Sequence, residues 1–87
     1  MKGIKIIEEE REAIVNVEKA FYSREAVLQA SSEFVEFCWV TVEDDENVFR
    51  IIIKPKEDNT NIKSIVGEFC NFLIVYMRSE QNGQQEL

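Results

Sequence analysis

Apolar residues between positions 60 and 80 recur at three- and four-residue spacing. Ile62, Ile65, Val66, Phe69, Cys70, Leu73, Tyr76 and Met77 therefore share one face of a predicted helix. Thr60 or Asn61 can supply its N-cap oxygen, and Gly83 in a polar tail lets it stop. A helix of about twenty residues is close to 30 Å long, enough to cross a small sheet. The rest of the chain is organised around it.

Towards the N-terminus the period changes. Val15 and Val17 alternate with Asn16 and Glu18, and Ile4, Ile6 and Ile7 open a short extended segment. The β-branched enrichment favours a hairpin of residues 3–8 and 12–18. The rival is one long helix, because Ile7, Ile14, Val17 and Phe21 also fit a 3.6-residue wheel. Ser23, with Glu25 in the following turn, starts a helix over residues 24–34 with a narrow stripe of Val27, Leu28, Ala30, Ser31 and Phe34. Residues 35–42 and 48–53 are β-branched and aromatic on either side of the turn-forming run 43–47, a second hairpin that Pro55 ends. Antiparallel pairing puts Cys38, Val40 and Val42 on the same face as Phe49, Ile51 and Ile53, the face that meets the helices.

The order ββαββα predicts an α+β two-layer sandwich, a mostly antiparallel four-stranded sheet with two helices on one face. Its 87 residues make one domain, residues 1–80, followed by a polar tail at 81–87 expected to fray. The second face of the second hairpin carries Phe37, Trp39 and Thr41 beside Val48, Arg50 and Ile52, more apolar than a solvated sheet face. Phe37, Trp39, Arg50 and Ile52 are thus the candidate interaction surface. Self-association through this face, giving a homodimer, is its simplest use, and binding of a protein or peptide partner the sharper one. A strand edge of the hairpin is also open to β-augmentation by an extended peptide.

Charge and chemistry narrow the function mainly by exclusion. A formal charge of −7 argues against nucleic-acid binding, which needs a basic surface. No apolar run is long enough for a membrane span or a secretion signal, so a cytoplasmic protein is expected. The chain has no histidine, the commonest general base and metal ligand. Two cysteines alone cannot complete a four-ligand zinc site, and Cys38 and Cys70 read as buried thiols, with a redox pair as the alternative. The acidic runs at 8–12 and 43–46 read as solvated turns, since the latter lacks the spacing and glycine of a calcium loop. No phosphate-binding loop is present, and Gly67 lies within the long helix, explained either by close backbone approach or as a tolerated weakness. No catalytic residue, metal or cofactor is therefore expected.

Several segments taken together resemble HxsD, the small protein of His-Xaa-Ser peptide-modification systems. They are AFYSREAVLQAS at 20–31, Phe34, IIKPK at 52–56 and EFCNFLIVY at 68–76. Tyr22, Glu25, Ala26, Val27, Leu28 and Ala30 fit the first part, and Glu68, Phe69, Asn71, Leu73 and Tyr76 the last. Val75 stands where an acidic residue is common, and the segment 78–80 departs from the family's basic ending. The resemblance implies a non-catalytic accessory or adaptor role beside a radical S-adenosylmethionine enzyme, holding that enzyme or its peptide, with any iron–sulfur cluster in the partner. A weaker similarity in layout, to the dimerising small subunit of the KEOPS tRNA-modifying complex, implies the alternative of a dimeric scaffold subunit.

Overall fold

A computed structural model describes residues 3–85. The N-terminal region is the predicted hairpin rather than a helix: β1 (Ile4–Ile7) and β2 (Glu12–Glu18) pair antiparallel, with Ile4 opposite Val15 and Ile7 opposite Glu12. A short 3-10 turn at Glu8–Glu10 joins them, closed by Arg11 in the left-handed region at φ 51°. From there the Arg11 guanidinium donates to the Thr60 carbonyl at 2.5 Å, tying this corner to the segment that opens the last helix.

The first helix, α1 (Arg24–Ser32), starts where Ser23 accepts a hydrogen bond from the Ala26 N–H at 3.1 Å. It ends two residues before its predicted limit, because residues 33–37 turn. The Phe37 and Cys38 N–H groups both donate to the Phe34 carbonyl, at 3.0 and 2.8 Å. This turn delays β3 (Cys38–Asp44) by three residues relative to expectation, and β3 then pairs with β4 (Val48–Pro55). Pro55 is the last strand residue, opposite Cys38, where the missing N–H costs the ladder least.

The final helix, α2 (Ile62–Gln85), is capped by Asn61, whose Oδ1 accepts from the Lys63 and Ser64 N–H groups at 3.0 and 3.3 Å. It runs through Gly83 and past residue 80, where the sequence placed its end; residues 86 and 87 of the expected tail lie outside the described residues. Gly67 gets a plain explanation: a Cβ built there meets nothing within 4 Å, so no backbone approach requires glycine.

The sheet order is β1-β2-β4-β3 with every pairing antiparallel, so the architecture is the α+β sandwich expected. Both hairpins are sequence neighbours, whereas the β2–β4 pairing spans α1 and joins them through registers such as Val15 opposite Ile51. The core lies between this sheet and the helices. Val15, Ile51, Ile53, Val27 and Phe69 are all at most 2% exposed, and Phe69 from α2 is the largest fully buried side chain. Cys38, Val40 and Val42 share the covered face with Phe49, Ile51 and Ile53, as period-two alternation requires. At the far end, Ser23 Oγ donates to the Glu80 carboxylate at 2.6 Å and its N–H contacts the Met77 sulfur at 3.5 Å, tying α2 to the start of α1. No helix among the described residues is long and apolar enough to cross a membrane.

Candidate functional surfaces

Exposed apolar side chains gather on several surfaces, of which two are the more developed. One is the outer face of the sheet. Trp39 on β3 is 64% exposed, and the Lys56 ammonium lies 4.5 Å from its ring centroid in a cation–π contact. Trp39 sits opposite Lys54, and Ile52 opposite Thr41, so Trp39 and Ile52 are diagonal neighbours on this face. Arg50 follows, flanked by Asn16 with Nε 3.4 Å from its Oδ1, and by Glu43 at 3.6 Å. The β2 register adds Ile14 beside Ile52, a residue that reasoning on the second hairpin alone missed. Its alternation with Ala13 and Val15 was the available signal, but only the β2–β4 pairing puts it in this row.

Phe37 does not join that set. The turn at 33–37 keeps it out of β3, and it lines a cleft on the helical side instead, 60% exposed. Of the four residues expected to form one surface, Trp39, Arg50 and Ile52 share the outer face and Phe37 belongs elsewhere.

The cleft is the second surface. It encloses about 710 Å³ between the turn that ends α1 and one flank of α2. Phe34 and Ile65 form its buried floor, Phe72 is half-buried, and Val75 is 52% exposed at one end. Phe34 meets Phe69 and Phe72 with ring centroids 5.8 and 5.7 Å apart, and the Phe72 ring stacks on Tyr76, so the aromatic wall is held from behind. Two carboxylates line the cleft, Glu33 and Glu68. The Tyr76 hydroxyl donates to Glu33, and that bond, with the nearby negative charge, pushes the Tyr76 phenol above its ordinary range. Asn71, also exposed, completes the polar rim.

The remaining chemistry is sparse. Cys38 and Cys70 are free thiols, and burial pushes both upward, in Cys38 against a smaller opposing pull from Lys56. Both are protonated and poorly nucleophilic at neutral pH. A smaller cavity of about 430 Å³ on the opposite flank of α2 is lined by Cys70, Phe21 and Ile74 among others. Among the described residues no group of three or more acidic or cysteine side chains is arranged to hold a metal. Asp44 pairs with Lys19 and Arg24, so part of the acidic hairpin tip ties β3 to the β2–α1 connection.

These features define a small α+β protein with apolar side chains exposed on its outer sheet face and along the α2 cleft. The model of a family described as His-Xaa-Ser system protein HxsD matches residues 17–80, and the chain belongs to the HxsD family. Membership points to an accessory protein of the His-Xaa-Ser system. No curated protein and no solved structure matches the chain significantly. Glu68 and Asn71, two of the residues on which the resemblance was read, are exposed and line the cleft, whereas their neighbours Phe69 and Leu73 are core.

Proposed function

We propose that the chain is a non-catalytic cytoplasmic adaptor of a His-Xaa-Ser system, holding a partner protein or peptide in the cleft along α2. The observation that carries this reading is the make-up of that cleft. It combines an apolar aromatic floor with exposed Glu68 and Asn71, which the packing of the domain does not need. The chain has no histidine, and burial pushes both thiols upward, away from nucleophilic form, which favours a role that supports another enzyme's chemistry. The open sheet face around Trp39 and Ile52 serves a second purpose, pairing with another copy of the chain. Its charges of both signs, Lys54, Arg50 and Glu43, suit a self-complementary contact.

The test is co-expression of the system's radical S-adenosylmethionine enzyme and His-Xaa-Ser peptide with and without this chain, with peptide modification read by mass spectrometry. Modification is expected to fall when the chain is omitted and to return when it is supplied in trans. Equal modification in its absence would sink the adaptor reading.

A further inference from the structure

We infer that the α2 cleft takes a peptide segment carrying a large apolar side chain and, a few residues away, a lysine or arginine. This rests on the adaptor reading and gives its partner a chemistry. The first argument is charge. Among the described residues, the ionisable side chains lining the cleft are Glu33 and Glu68, and neither lysine nor arginine lines it. Glu33 closes the turn side and Glu68 lies on α2, so carboxylates stand on both walls of an apolar trough. A segment with an acidic side chain there meets like charge in a partly desolvated site, while a cation finds two partners. The bond from the Tyr76 hydroxyl holds the Glu33 carboxylate in place, which lowers the ordering cost of an ion pair with an incoming cation.

The second argument is shape. From the cap Asn61 the lining runs along α2 through Ser64, Glu68 and Asn71 to Val75, steps of three and four residues that keep to one stripe. At 1.5 Å per residue that stripe is about 20 Å long, room for about six residues of extended peptide or three to four helical turns. Phe34, Phe37 and Phe72 give an inserted apolar side chain aromatic surface to lie against. The outer sheet face differs in its charge: there the cations Lys54 and Arg50 lie beside Trp39 and Ile52, with Glu43 opposite Arg50.

The experiment is selection of random dodecapeptides displayed on phage against the immobilised full chain. The best peptide is then synthesised with a fluorescein label and its affinity measured by anisotropy. Enriched peptides are expected to pair a large apolar residue with lysine or arginine. Replacing both carboxylates, Glu33→Gln with Glu68→Gln, should weaken binding about tenfold, since each partly exposed pair contributes modestly. Both sites are exposed, so thermal melts of this variant should match the parent; Val75→Lys, which sets a cation at the exposed end of the same trough, should weaken binding as well. Trp39→Ser should leave peptide affinity unchanged. No enrichment, enrichment of peptides without basic residues, or unchanged affinity in the double variant each overturns the proposal. If Trp39→Ser abolishes binding and the carboxylate variant does not, the cleft assignment fails while the adaptor reading stands on the sheet face. Loss of the adaptor reading shows separately, as peptide modification that does not need the chain.

Discussion

Ile51, Ile52 and Ile53 are three identical side chains in succession on β4, and the structure gives them two different fates. Ile51 and Ile53 are 0% exposed beneath the helices, whereas Ile52 is half-buried on the outer face near Trp39. Hydrophobicity is the same at all three, so what separates them is which side of the sheet α1 and α2 cover. The covered face stabilises the domain by removing apolar surface from water, and the open face keeps that capacity for contact with another molecule.

Truncating on either side of this boundary gives the sharpest test. Ile51→Ala should lower unfolding stability by about 2–5 kcal/mol, the range for emptying a packed core site. Ile52→Ala should cost less than about 1 kcal/mol in denaturant melts, because the site already faces solvent in part. Equal losses would mean that the outer face is covered in the folded monomer. On the helical side, Gly67→Ala should raise stability by about 0.5–1 kcal/mol, since the added methyl meets nothing and the unfolded chain loses freedom. A loss there would require a neighbour along α2 that the isolated chain lacks. The smallest expected effect on stability is that of Trp39→Ser, within about 0.5 kcal/mol for an exposed site. Its readout is solution mass by light scattering over rising concentration, where the parent should be a dimer and the variant a monomer. A monomeric parent would leave the sheet face to a heterologous partner.

The two candidate surfaces also differ in how far they could be read in advance. The outer face needs only alternation along one hairpin, which by itself groups Trp39, Arg50 and Ile52. The strand-like composition of residues 35–37 predicts Phe37 in the same set, and the hydrogen bonds back to the Phe34 carbonyl fold those residues into a turn instead. The cleft has no counterpart in the sequence pattern. Its lining joins the end of α1, the segment before α2 and one flank of α2, which are far apart in sequence and carry no shared local pattern.

What the sequence determined by itself is the set of elements and the side of each that is apolar, because helical and strand periods are local properties that survive in any tertiary setting. It identified the hairpins, the capped long helix and the covered face of β3 and β4. Tertiary structure alone decided the order β1-β2-β4-β3, the row that brings Ile14 to Ile52, the departure of Phe37 and the pairing of Glu33 with Tyr76. Each of these depends on contacts across the intervening chain, where the outcome is set by how helices pack on the sheet and where a turn satisfies its backbone donors.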